Sequence, residues 1–456
     1  MKRTVYLLAA LLLLVLAACQ PAAPVEGPSA AEAEAVAEAE SGDASAVEFS
    51  RFFGECEDEY GDITDLEDTA NFTGECSIIQ IMTNAYNEQN PDNPVSTTVT
   101  DWPGFTELNT RLAANDPPDI AILHGIRIPN YASRGLLAPV GPVLETYGID
   151  VDNFTDAARE YVSYEGELYG IPLDLHGHLY FINLDLWEQA GMVGDDGVPI
   201  IPTNWTEWEA AAEQFFEATG VPMFEQPAGG ASWSRDWMAL VYQQGGSIEN
   251  ADGLPTIDTE EGAAAINLII DMYNGTFASE DGASNTGEAF SSGEVGSHRN
   301  GTWTVNYFDA QAADPDIPLN RFYVTSFPQF FDQPATWSST HAYIIPLGTD
   351  ADADQIDRIM KFLSWMNENN GVWAYTGHFP VNNSDIESEY FTSIPHRSEY
   401  GNFSAEAIPM PRHSWVTAFE DIMNEEIQAA VLGDKSVEQA LVDAQARFDD
   451  FVNFGQ

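Results

Sequence analysis

From residue 47 onward, short apolar runs rich in β-branched residues alternate with segments whose apolar positions recur every three or four residues. The first pattern reads as a strand and the second as an amphipathic helix. Residues 47–53 predict a first strand, 78–90 a helix, 95–100 a second strand, 105–114 a second helix and 119–123 a third, buried strand. No fixed-period repeat runs along the chain, and strands alternating with helices imply an α/β fold. In parallel sheets of this kind ligands collect beyond the carboxyl ends of the strands. Two such ends carry His124 and the pair Asp101-Trp102.

The N-terminus has a different pattern. Lys2 and Arg3 precede an apolar run over 5–17, too short for the roughly 20 residues that a membrane-spanning helix needs. Charge, run length and the small residues that follow predict a secretory signal over 1–18. The end of the run, Leu16-Ala17-Ala18-Cys19, resembles the lipobox of bacterial lipoproteins. That resemblance makes Cys19 the acylated first residue of the mature chain, held on the outer face of the cytoplasmic membrane by its lipid alone. Residues 19–46 are nearly all Ala, Glu, Pro, Ser and Gly, a composition that cannot bury enough apolar surface to fold. They read as a flexible tether.

About 410 residues follow, enough for two lobes with separate cores. Cys56 and Cys76 bracket a polar loop. In an oxidising compartment a disulfide closing it would contribute about 3 kcal/mol in the chain-entropy model, although two free thiols also fit the spacing. The acidic stretch over 58–68 lacks the spacing of an EF-hand.

Charge narrows the partners. Sixteen basic residues against 73 acidic ones give a net charge of −57, a surface that repels nucleic acid and anionic lipid. It also leaves few cations for a phosphorylated ligand.

The densest motifs lie mid-chain. Tyr169-Gly170-Ile171-Pro172-Leu173-Asp174 leads into a run from His176-Gly177-His178 to Asn183-Leu184-Asp185-Leu186-Trp187, and then come Ala190-Gly191-Met192 and Pro202-Thr203-Asn204-Trp205. Thr206 with Glu209 has the spacing of a capping box, and Gly220 would end that helix. Further on stand Ala289-Phe290-Ser291-Ser292-Gly293, Asn300-Gly301-Thr302-Trp303 and, near the end, Val431-Leu432-Gly433 with the capping pair Ser436 and Gln439.

Together, and in this order, these elements resemble the family 1 extracellular solute-binding proteins, the carbohydrate receptors of ABC importers. The resemblance implies an α/β, two-lobed periplasmic-binding-protein fold with an interlobe ligand cleft and hinge crossings. One lobe would hold 47–178 and 342–378, the other 183–336 and 383–456, with crossings near 178–183, 337–342 and 378–382. It further implies a small-molecule sugar as ligand, the permease of an ABC importer as partner, a monomer, no cofactor and no catalytic residue.

A sugar site needs aromatic planes for C–H faces and polar groups for hydroxyls. Trp187, Trp208 and Trp365 sit at helical spacing among apolar residues and read as core. Trp102 at a strand end, Trp233 in a Gly/Ser-rich loop, Trp303 at the family's Gly-x-Trp position and Trp415 after Pro411 remain as platforms. Asp174, His176, His341 and His124 suit the polar rim. His176 and His178 share a strand face and could hold a metal with His341 or Asp174, but the family context favours hydrogen bonding, so no metal is expected. Two other functions fit parts of the sequence. A secreted glycoside hydrolase needs two carboxylates in an aromatic cleft, and a receptor for a sugar phosphate or glycerol phosphodiester needs cations, for which Arg127, Arg235 and Arg299 are candidates.

Replacing Cys19 by Ala is expected to abolish incorporation of labelled lipid and to release the protein from membranes. A Cys19→Ala protein that still pellets with washed membranes overturns the lipoprotein reading.

Overall fold

In the computed structural model, β1 (Val47–Arg51) alternates buried and half-buried residues, the period-two pattern of a strand with one face in a core. The described residues are 46–225, 232–274, 287–347 and 353–454. The signal segment, Cys19 and the tether short of residue 46 lie outside them.

The first strand pairs in parallel with β2 (Val95–Val99) and β3 (Ile120–His124). The connecting segments form helices α1 (Glu75–Gln89) and α2 (Phe105–Ala114). A small hairpin, β4 (Ser163–Tyr164) with β5 (Glu167–Leu168), precedes β6 (Ile171–Pro172). Much later in the chain β11 (His341–Ile344) inserts antiparallel between β3 and β6, completing the order β2-β1-β3-β11-β6.

The second sheet is built around β7 (His176–Asn183), all eight residues of which are buried. It is flanked by β8 (Ser297–Gly301), β9 (Phe322–Ser326) and β10 (Thr336–Ser339), all antiparallel to it, with β12 (Ala407–Ile408) parallel to β10. Each sheet has its own apolar core. Phe49, Ile78, Met82, Phe362 and Trp373 belong to the first, and Trp187, Trp208, Trp237, Phe308 and Phe448 to the second.

The chain passes from the first sheet to the second through Leu173-Asp174-Leu175, between β6 and β7. This precedes the expected crossing at 178–183, which is the body of β7. It returns at Thr340, between β10 and β11. A third approach is the antiparallel bridge of Leu175 to Phe379. Close packing marks these passages. A Cβ at Gly177 would strike the Trp337 carbonyl and the Phe403 ring, and one at Gly125 would strike Thr340 and Tyr161.

Helix starts differ from the sequence reading for local reasons. α1 begins three residues before 78 because the Ser77 hydroxyl accepts the Thr73 and Gly74 N–H groups at 3.0 and 3.2 Å, which satisfies donors the first turn leaves free. In α3 (Trp205–Thr219) the cap is Asn204 rather than Thr206. Asn204 accepts the Glu207 N–H at 3.1 Å, and the Glu207 carboxylate accepts the Thr203 N–H at 3.0 Å. Cys56 and Cys76 are joined in a disulfide with Cα atoms 6.2 Å apart, which fastens the acidic loop to the first turn of α1 beside Glu75.

A half-buried ion-pair cluster sits beyond the second sheet. His396 lies between Asp309 at 3.0 Å and Glu399 at 2.9 Å and stacks on Phe322 with ring centroids 4.2 Å apart. Burial acts to lower its pKa, but the hydrogen bonds to Asp309 and Glu399 outweigh it and push it up to about 9. A folded-state value above the unfolded one gives stability that is complete below about pH 6.5 and lost as pH rises toward 9. The expected contribution is about 3 kcal/mol. Chemical denaturation of wild type should weaken by that amount between pH 6.5 and 9, over and above any change in His396→Gln; identical pH profiles for the two proteins contradict this account.

Candidate functional site

At the first passage between the sheets the side chain of Asp174 is wholly enclosed, with 0% exposure. Its carboxylate accepts four hydrogen bonds: from His176 Nδ1 at 2.8 Å, His341 Nδ1 at 2.7 Å, the His341 backbone N–H at 2.9 Å and Trp373 Nε1 at 2.9 Å. A buried carboxylate is costly unless its lone pairs are filled, and here each oxygen takes two donors. Burial works to raise its pKa, yet His341, His378 and His176 hold the carboxyl well below the usual carboxylate range. Burial and the neighbouring His341 push His176 down to about 3 against the pull of Asp174. For His341 burial acts downward but Asp174 prevails, and the pKa is raised. At the end of β3, burial followed by His341 and His176 sets His124 well below its ordinary value.

Above this floor opens a cavity of about 350 Å³. Its walls come from both sheets. Phe52 and Phe53 follow β1, Trp102 follows β2, and His124 ends β3. Trp303, Trp337 and Arg235 face them from the second half. The rings interlock: Phe52 stacks on His124 at 5.1 Å, His176 on His341 at 4.3 Å, and Trp303 meets His176 edge-on at 6.1 Å. A Cβ at Gly301 would run into the Trp303 indole, so the Gly-x-Trp spacing lets the ring lie back over its own strand. Trp102 is 69% exposed at the rim.

Polar groups in the cavity are few. Glu75 bonds His378 Nε2 at 3.0 Å. Arg235 sits 3.9 Å above the Trp337 ring and pairs with Glu420 at 2.7 Å. Aromatic planes with sparse, fixed polar groups can hold a ligand that presents C–H faces and hydroxyls.

Residues 69–372 match the family model described as bacterial extracellular solute-binding protein. The chain belongs to that family. Its members are binding proteins that work outside the cytoplasm. An arabinooligosaccharide-binding protein of Halalkalibacterium halodurans is 25% identical over 198 residues, covering 41% of each chain. The chain thus spans about two fifths of the length of the first curated relatives it matches. Among solved structures, the GacH receptor of Streptomyces glaucescens, determined unliganded and with acarbose, aligns at TM-score 0.72 and 18% identity over 90% of this chain and 98% of that one. UgpB of Mycobacterium tuberculosis, in complex with glycerophosphocholine, aligns at TM-score 0.69 and 17% identity over 83% and 95%. These likenesses establish the two-lobed α/β fold of the solute-binding proteins. Among the described residues no helix is long and apolar enough to cross a membrane.

Of the residues singled out from the sequence of this solute-binding protein, Trp102, His124, His176, Trp303 and His341 line the one cavity. Asp174 lies beneath it and acts on the histidines rather than as an open rim acceptor. Trp233 and Trp415 are elsewhere. Trp233 is not in a loop: it is 4% exposed in the first turn of α4 (Ser232–Gln243), packed in the second core. Trp415 is 3% exposed, its indole N–H bonding the Gly253 carbonyl at 2.9 Å and its ring meeting Phe448 at 5.7 Å. Arg299 bonds Asp236 at 2.9 Å, and Arg127 lies 3.6 Å over Phe105; neither lines the cavity. The sequence reading missed Phe52, Phe53, Glu75 and Trp337 as lining residues. The position of Phe52-Phe53 just past β1 was the one available signal.

Truncating the two buried indoles, Trp233→Ala and Trp415→Ala, is expected to cost about 3–5 kcal/mol each through cavity formation. Trp102→Ala should stay within about 0.5 kcal/mol of wild type, as exposed substitutions do. Urea unfolding curves measure all three; near-neutral Trp233→Ala and Trp415→Ala would return those rings to a ligand surface.

Proposed function

We propose that this chain is the extracytoplasmic, lipid-anchored receptor of an ABC importer and that it captures a sugar or oligosaccharide in the cavity between its sheets. The observation that carries this is the lining itself: three indoles and a histidine floor, with Glu75 the one carboxylate and Arg235 the one guanidinium among its described lining residues. Indole faces suit the C–H faces of a pyranose, and histidine and Glu75 suit its hydroxyls. Two or three stacking contacts at about 0.5–1.5 kcal/mol each beyond area burial, with several hydrogen bonds at about 0.5–3 kcal/mol, reach the roughly 8 kcal/mol of micromolar affinity. Relatives named for arabinooligosaccharide binding and for acarbose recognition support the same ligand class.

Closure over the sugar is a hinge movement of two rigid lobes about the passages near Asp174, Thr340 and Phe379, the usual motion of such receptors. The importer reads the closed form, whose population rises by the ligand's preference for it. The lipid on Cys19 and the tether over 19–46 keep the receptor near its permease. Hydrolysis finds less support, since glycosidases pair two carboxylates across the bond they break. A phosphodiester ligand, as in UgpB, draws only on Arg235, which Glu420 already neutralises.

Thermal-shift screening of the mature protein against mono- and oligosaccharides, with glycerophosphocholine as a comparator, should raise Tm for a sugar. Calorimetry with that sugar is then expected to show a ten- to hundredfold weaker Kd for Trp303→Ala. A shift with glycerophosphocholine alone, or release of reducing sugar from glycosides, overturns the proposal.

A further inference from the structure

Three imidazoles converge on the cavity floor. One ring nitrogen from each of His124, His176 and His341 lies within 4.8 Å of the others. Nitrogens sharing a tetrahedral zinc ion at bonds of ~2.0–2.1 Å stand about 3.4 Å apart, so movements on the order of 1 Å would close the set. The two inner rings are already oriented. Asp174 takes the Nδ1–H of both His176 and His341, which leaves the lone pair on Nε2 of each. A carboxylate behind a histidine is how proteins fix the tautomer and aim of metal-binding imidazoles.

Among the described residues neither nitrogen of His124 has a hydrogen-bond partner; its neighbours are the rings of Phe52, Trp102, His176 and His341.

We propose that His124, His176 and His341 form a three-nitrogen site for a divalent transition-metal ion, zinc foremost, with Asp174 as its positioning residue. Two donors come from the floor and the third, His124, from the wall beside them, so the ion keeps a position open toward the cavity, as three-histidine zinc sites do. An oxygen of the bound solute fills it, a detail that rests on the sugar reading; the metal site itself does not. Imidazole donors select zinc, copper or nickel over calcium or magnesium. The field of a chain carrying −57 charges draws cations, Glu75 adds a carboxylate to the wall, and Glu420 neutralises Arg235. The pair weighed from the sequence is not the one that assembles. His178 turns to Asp236 at 3.3 Å, and its place is taken by His124 from the end of β3.

The test uses the full mature protein, stripped with a chelator and titrated with Zn²⁺ by calorimetry and with Co²⁺ by absorption. One ion per chain at micromolar Kd or below is expected, with an intense four-coordinate cobalt band. His124→Gln and His341→Gln should each weaken zinc binding at least a hundredfold, and Asp174→Asn ten- to a hundredfold, with Tm recorded for every variant. His124→Gln, at the cavity wall, is the variant whose fold is least at risk. Absence of zinc heat and of a cobalt band in folded wild type overturns the site, as does unchanged zinc affinity in folded His124→Gln. Titrating the sugar with zinc and with chelator separates the two proposals. A protein that binds sugar but no zinc loses the metal site alone, and one that binds zinc but no sugar loses the sugar reading alone.

Discussion

One buried carboxylate holds the passage between the two sheets. Asp174 receives hydrogen bonds from the first residue of β7, from the side chain and backbone of the first residue of β11, and from Trp373 in the turn before the third approach. Its own carbonyl accepts the Thr340 hydroxyl. An ionised group in a site closed to water costs several kcal/mol unless its partners are complete. Each donor therefore has to be delivered by its own segment at the right depth, and the register of β7 against β10 and of β11 against β3 is tied to one point. The same demand makes the floor rigid. His176 and His341 cannot turn away without leaving the carboxylate short of a donor, and their stacked rings form the base on which Trp303, Phe53 and His124 stand.

Local features were legible where one segment decides them. The 105–114 helix has the predicted ends, and β1 to β3 fall within two residues of theirs, because period and turn residues are properties of a short window. The capping of α5 (Val437–Phe454) was readable for the same reason, as the Ser436 hydroxyl accepts the Gln439 N–H at 3.2 Å. The tryptophans were not equally legible. Trp415 follows prolines and looks exposed, but a carbonyl 162 residues away takes its N–H. Trp233 follows a glycine-rich stretch, but Trp237 one turn later shares its face and both enter the core. Asp174 was found for the right position and given the wrong reach. Sequence placed it beside the cleft, whereas only the arrival of His341 and Trp373 from 167 and 199 residues away shows that it is sealed beneath the floor.

The scarcity of basic residues gives these placements a common logic. Several of the sixteen are committed to the interior. Arg51 bonds the Gly54 carbonyl at 2.6 Å and Gln80 at 2.9 Å, Arg397 bonds the Ala374 carbonyl at 2.7 and 2.9 Å, and Arg412 reaches the Gly125 carbonyl at 2.9 Å. Burial brings Arg51 and Arg412 down to about 10, still charged at any ordinary pH. Arg235, Arg299, Arg321 and Arg447 pair with carboxylates. With the cations so used and the outer surface strongly acidic, the cavity lining is left mostly to imidazoles and aromatic rings. Such groups discriminate by shape and hydrogen-bond direction rather than by charge, which suits a neutral polyol. They also leave three nitrogens facing one space, and a cation there would be the one strong positive charge that this acidic chain does not have to supply from its own residues.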